Sequence, residues 1–127
     1  MYHKIIIVGN LGGDPQMRYL PDGKPVTSFS VAANRKWAQG EEVCWFRVTA
    51  FGTLAESCNE YLRKGRTVLV EATLSPDKNG GPKVWTGKDG EARASYDVVA
   101  SNVRFLGGVK GDAEPADGGP AESEIPF

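Results

Sequence analysis

Reactive side chains are scarce in this chain. It carries two cysteines, Cys44 and Cys58, and one histidine, His3. No Cys-x-x-Cys occurs, and three dispersed residues do not make a zinc site. The expectation is no metal, no cofactor and two buried free thiols in a reducing compartment. With one histidine and no G-x-S-x-G, no pair of nucleophile and base stands out. Gly9-Asn10-Leu11-Gly12-Gly13 follows an apolar run but fits neither G-x-G-x-x-G nor G-x-x-x-x-G-K-[ST], and it reads as a turn. The carboxylates are scattered, so no catalytic residue is assigned and an enzyme is not expected. Long apolar runs are missing as well. The longest, Ile5-Ile6-Ile7-Val8, falls far short of the roughly 20 residues that cross a bilayer. No basic region leads into a secretory apolar stretch, so the expected location is cytoplasmic.

What is present suits one domain. The chain has 127 residues, 40% hydrophobic and 24% charged, enough for a single ordinary core. The net charge of −1 hides an asymmetry. Residues 1–107 hold fourteen Lys/Arg against eleven Asp/Glu, whereas residues 108–127 hold one Lys against five acids. A mildly basic body thus carries an acidic tail. The boundary falls at Gly107-Gly108. Beyond it, Gly, Pro, Asp and Glu dominate, too little apolar surface to offset ordering entropy, so the tail is expected to be disordered. Its last residues, Ile125-Pro126-Phe127, turn apolar again.

The body reads mostly as strands. Residues 2–11 form a β-branched run stopped by Gly12-Gly13-Asp14-Pro15. Pro21-Asp22-Gly23 is a turn, residues 26–35 a second strand with Phe29, Val31 and Ala33 on one face, and residues 39–42 the next turn. Residues 43–51 give the clearest alternation: Cys44, Phe46, Val48 and Ala50 share one side, and Trp45, Arg47, Thr49 and Phe51 share the other. One helix follows. Thr53 and Glu56 suggest a capping box, Gly65 a C-terminal cap, and Leu54, Cys58, Tyr61 and Leu62 an apolar stripe. A fourth strand over 66–74, a long mobile hairpin over 75–93 and a last strand over 94–106 complete the body. Three strands, a helix and two strands is the order of an OB-fold, a five-stranded barrel with one helix between strands 3 and 4. Periodicity alone leaves a generic β-barrel or α+β domain open.

Trp45 and Phe51 on the outer side of a barrel strand need a reason. One is a protein interface; another is a stacking platform for bases, with the neighbouring guanidinium of Arg47 holding phosphate. Strand parity weighs the two evenly. Trp37 follows Arg35-Lys36 at a strand end, and Trp85 lies in a polar hairpin between Lys83 and Lys88. Aromatics interleaved with cations on barrel loops favour single-stranded nucleic acid: cations track the backbone while rings stack without reading sequence.

The run from Ile7 through Gly9-Asn10-Leu11-Gly12-Gly13-Asp14-Pro15, then Arg18-Tyr19-Leu20-Pro21-Asp22-Gly23, resembles the start of the bacterial single-stranded DNA-binding protein family. So do Trp45-Phe46-Arg47-Val48, Phe51-Gly52-Thr53-Leu54-Ala55-Glu56 and Glu60-Tyr61-Leu62-Arg63-Lys64-Gly65, and the likeness spans nearly all of residues 2–107. It implies an all-β OB-fold binding domain over 1–107, sequence-tolerant binding of single-stranded DNA, and base stacking on Trp37, Trp45, Phe51 and Trp85. Candidates for phosphate contact are Lys4, Arg18, Arg35, Lys36, Arg47, Arg66, Lys83, Lys88 and Arg93. It also implies a homotetramer, nucleoid association, and recruitment of replication, recombination and repair proteins by the tip Glu124-Ile125-Pro126-Phe127. Where the family often has a histidine after the third-strand tryptophan, this chain has Phe46, so subunit packing is expected to differ in detail. The other reading is an OB-fold module that binds mainly RNA or protein, such as an accessory of replication restart.

Overall fold

A computed structural model describes residues 1–106; the acidic tail and its tip, residues 124–127 included, lie outside the described residues. The element order is β1 (Ile5–Leu11), β2 (Gln16–Tyr19), β3 (Pro25–Trp37), β4 (Gly40–Phe51), α1 (Thr53–Tyr61), β5 (Thr67–Leu74), β6 (Lys83–Thr86) and β7 (Ala92–Leu106). Five of these strands close a barrel in the order β1-β5-β7-β4-β3, with β3 returning to β1. The expected five strands and single helix are therefore present, with two short additions. β2 pairs with β3, and β6 forms a hairpin with the start of β7. The pairings are antiparallel except β4 with β7, which run parallel over Phe46–Thr49 and Tyr96–Val99.

Closure depends on β1 changing neighbours. It pairs with β5 from Ile5 to Asn10, then reaches β3 at Asn10 and Leu11. Gly9 sits at this crossing, where a Cβ would strike the Ala32 carbonyl and the Val31 side chain. A residue without a side chain is what lets the two backbones approach.

The core follows the expected alternation. Val31, Val48, Val68, Val70 and Val98 fill the barrel, and Ala55, Cys58 and Leu62 of the helical segment pack against them. Thr27 on the inner row is fully buried, and its hydroxyl donates to the Ala55 carbonyl at 2.7 Å, which satisfies both polar groups and ties the helix to the barrel. Burial pushes the Cys58 thiol up to about 12, whereas Cys44 is only half-buried. Both cysteines are free, but the expectation that both are buried holds for Cys58 alone.

Five local expectations are corrected. The Thr53/Glu56 capping box does not form, because Thr53 is already the first helical residue and Gly52 occupies the N-cap position at φ 68°, without a side-chain cap. Gly65 does not end the helix. Leu62 leaves helical geometry three residues earlier as its side chain buries, and Gly65, at φ 89°, serves the following turn closed by Arg66 N–H to Arg63 O at 3.0 Å. Tyr61 lies at the edge of the helical stripe, about half exposed, with its ring 5.8 Å from that of Phe105; Ala55 takes the buried place. The turn expected at 39–42 is tighter, since Trp37 already faces Gly40 across a two-residue loop. Arg35 opposite Glu42 and Lys36 opposite Glu41 extend the ribbon with opposite charges. The Pro21-Asp22-Gly23 turn forms as expected, with Gly23 at φ 91° and the Asp22 carboxylate accepting from Lys24 N–H. The 75–93 hairpin forms too, but it pairs earlier than expected, so β7 starts at Ala92.

Candidate functional site

β4 carries the centre of the site. Its inner row runs from half-buried Cys44 and Phe46 to buried Val48 and Ala50, and its outer row holds Trp45, Arg47, Thr49 and Phe51. Opposite them on β3 stand Ala32, Ser30, Ser28 and Val26, and beside Arg47 on β7 stands Asp97. Strand register extends this outer row. Ser95 and Arg93 continue it along β7, and their partners on β6 are Lys83 and Trp85. Trp45, Phe51 and Trp85 therefore share one face with Arg47. Trp37 does not: it pairs with Gly40 in the row of Ala33 and Cys44, the inner row of the barrel. The β3–β4 ribbon has by then passed the barrel mouth, so Trp37 faces solvent all the same.

None of the four rings is core. Trp37, Trp45, Phe51 and Trp85 are exposed to 48%, 53%, 39% and 43%, too much for packing alone to account for them. Two grooves of about 450 and about 570 Å³ meet at Trp45 and Arg47. One is bordered by Ser30, Glu42 and Tyr96; the other by Gln16, Arg18, Ser28, Thr49 and Asp97. Hydroxyls, an amide and two guanidiniums thus surround an exposed indole. At the ribbon tip the Arg35 guanidinium lies 5.4 Å from the centre of the Trp37 ring and within 2.7 Å of the Glu42 carboxylate.

The nine candidate cations divide by placement. Arg18 and Arg47 border the groove beside Trp45. Lys36 and Lys88 stand exposed at the two hairpin tips. Arg35, Lys83 and Arg93 lie on the hairpins in ion pairs with Glu42, Asp97 and Asp89. A phosphate reaching these three replaces a carboxylate, which reduces their net electrostatic gain. Arg66 is partly buried before β5. Lys4 lies two strands away from β4, paired with Glu71 at 3.6 Å, and a hydrogen bond with Tyr2 and the Glu71 charge hold its ammonium above the usual lysine range. At the root of the β6–β7 hairpin, backbone N–H groups of Gly81 and Asn79 hold the Asp77 carboxyl below the usual aspartate range.

Sequence reasoning passed over Tyr96 and Gly12. Tyr96 lies 5.8 Å from Phe46, ring to ring, and is 58% exposed. Alternation back from Val98 places it inward, and only the end of the barrel wall makes it accessible. Gly12 was legible as a turn residue; its contact with Trp45 joins segments thirty-three positions apart, and no local signal marks it. Among the described residues no group of three or more His, Cys, Asp or Glu could hold a metal ion, and no helix is long and apolar enough to cross a membrane.

Comparison with known proteins places this arrangement. Residues 2–106 match the model of the single-strand binding protein family. The chain is 38% identical over 121 residues to a protein of Helicobacter hepaticus named single-stranded DNA-binding protein, covering 91% of this chain and 68% of that one. A Wolinella succinogenes protein of the same name is 36% identical over 129 aligned positions, covering 98% and 73%. One from Neisseria meningitidis serogroup B is 38% identical over 111 residues, covering 84% and 60%.

Proposed function

The chain belongs to the single-strand binding protein family, and on that premise we propose that it binds and shields single-stranded DNA without reading its sequence. The observation that carries this reading is the exposed row of Trp45, Phe51 and Trp85 on one face with Arg47 at its centre. Each ring offers a π-face that any base can use, and each stack contributes about 1–3 kcal/mol. Arg47, Arg18, Lys36 and Lys88 take phosphates, Arg35, Lys83 and Arg93 do so by exchange with their carboxylates, and Trp37 extends the path over the ribbon tip. Lys4 and Arg66 contribute less, being off this face or partly buried. The strand is held by contacts alone, with no bond made or broken.

The protein acts as a homotetramer in replication, recombination and repair, associated with the nucleoid. Support for self-association comes from β1: Ile5–Val8 pair with β5 on one edge and have no partner strand on the other among the described residues, and Ile6 is exposed. Such an edge accepts another strand. The apolar Ile125-Pro126-Phe127 behind Glu122 and Glu124 docks partner proteins through an apolar pocket ringed by basic residues.

Tryptophan fluorescence titrated with oligo(dT) and oligo(U) across several salt concentrations tests the reading. Strong quenching by oligo(dT) that persists at high salt is expected. Quenching that disappears with modest salt removes the stacking claim, preference for oligo(U) makes the domain an RNA module, and no binding at low salt leaves the aromatic row as a protein interface.

A further inference from the structure

Three described glycines, Gly12, Gly40 and Gly87, would set a Cβ against side chains alone; at Gly87 the nearest is the flexible end of Arg93, at Gly40 the Trp37 ring stays at 3.3 Å, and only at Gly12 does a ring lie within 3.0 Å. Gly23, Gly52, Gly65, Gly80 and Gly90 have positive φ, so their backbone explains them. Gly9 is explained by the close approach of β3. Gly12 has neither cause: its φ is one any residue adopts, and no backbone crowds it. What a Cβ there would meet is the outer edge of the Trp45 indole, 2.6 Å from Cζ3 and 2.8 Å from Cη2. The turn itself is anchored, since Gly12 N–H donates to Ser30 O at 3.0 Å and Leu11 N–H to Arg66 O at 2.9 Å. Ser30 is the cross-strand partner of Arg47.

We propose that Gly12 is a positioning residue for base stacking: the bare backbone of the β1–β2 turn is the stop against which the Trp45 ring edge rests. The inference rests on the nucleic-acid reading of this face and goes beyond it. An indole on a strand surface turns about two side-chain torsions, and each orientation presents a different plane to a base. A stop at the ring edge removes that freedom before the strand arrives, so less ordering is left for binding. It touches the edge, and the flat faces stay available. A methyl group at Gly12 overlaps Cζ3 and Cη2, so the ring must swing away from the groove it borders with Arg47 and Arg18.

The test is a double-mutant cycle in the full chain, Gly12→Ala with Trp45→Leu, read by oligo(dT) affinity over a salt series. Gly12→Ala is expected to weaken binding about tenfold, the order of one lost stack, and to leave the salt slope unchanged because no cation is removed. In the Trp45→Leu background the same change is expected to have no effect. Without DNA, in a chain carrying Trp37→Phe and Trp85→Phe, Gly12→Ala is expected to shift Trp45 emission and raise its quenching by acrylamide. Should Gly12→Ala not fold, Gly12→Ala with Trp45→Phe is expected to fold, since the shorter ring clears the methyl group. Equal loss in both backgrounds, wild-type affinity and emission in Gly12→Ala, or failure of the Phe variant to fold would each overturn the proposal. Failure of the unaltered chain to bind oligo(dT) overturns the nucleic-acid reading itself, and the emission shift shows which of the two has failed.

Discussion

Along β4 the inner row sinks from half-buried Cys44 to Val48 and Ala50 at 1% and 0% exposure; along the β3–β4 ribbon the same row ends in Trp37, half exposed. β7, where it runs beside β4, repeats the contrast. Val98 is in the core, yet Tyr96, two residues earlier on the same face, is 58% exposed. Side chains alternate identically in both regions. What differs is whether a wall stands opposite. Inside the barrel, β1, β5 and α1 supply that wall, and the row is buried. Past the mouth the strands continue as two-stranded ribbons with no opposite wall, and both faces meet solvent. The candidate site lies astride this transition: Trp45 and Phe51 on the barrel wall, Trp37 and Trp85 on the ribbons.

The contrast breaks most severely at the point of closure. Gly9→Val forces a side chain into the β3 backbone and is expected to cost about 3 kcal/mol or more, or to prevent folding. Gly81→Ala, on the hairpin with nothing within 4 Å of its Cβ, is expected to stay within about 0.5 kcal/mol. Urea denaturation of the two variants compares them directly. On the wall itself, Trp45→Leu is expected to lower oligo(dT) affinity by about 1–3 kcal/mol with little change in melting temperature, because the ring is exposed. A large drop in melting temperature would instead make Trp45 structural.

The ribbon's independence is sharpened by a second pair. Trp37→Ala and Trp45→Leu, lying on different rows, are expected to add in affinity within about 0.5 kcal/mol. Strong coupling would place both rings in one subsite. The thiols report the same division without energies. At pH 8 a thiol reagent is expected to label Cys44 alone, since Cys58 is buried with its thiol pushed up to about 12; both label in denaturant. Equal labelling in the folded protein would contradict the buried helix face. The smallest expected effect is at Asp77. Its folded carboxyl is held below the ordinary aspartate value, so its hold on the turn is fully present above that value, about pH 4, and is lost as pH falls through the lower folded value. Amide signals of Asn79 and Gly81, followed by NMR on acidification, are expected to move there and not near neutrality.

The barrel was largely legible in the sequence because period-two alternation and β-branched runs are local signals, and Cys44 to Phe51 displays both. The aromatic set was legible because large rings among cations conflict with burial. What escaped reading depends on pairing at a distance. Thr53 and Glu56 have the right spacing for a capping box, but the chain enters the helix one residue early through Gly52. The two faces of the ribbon were not separable until Trp37 was paired with Gly40 and Trp85 with Arg93. Gly12 could be explained only by a ring thirty-three positions along the chain.

The change of neighbours along β1 also sets when the domain can fold. β1 pairs with β5, whose residues lie about sixty positions later, and the parallel β4–β7 match awaits Val99. At a synthesis rate of about 5–20 residues per second, the first strand emerges several seconds before its partner exists. Until then the β3–β4 hairpin can form, but the apolar run of β1 has no barrel to enter. The β5–β7 and β4–β7 pairings that close the barrel can form only once nearly the whole domain has been made. A chain of such long-range pairings is expected to close in milliseconds to seconds after that, as other barrels do. An abrupt gain of protease resistance, at nascent lengths that have just brought β7 out of the ribosome, would be its signature.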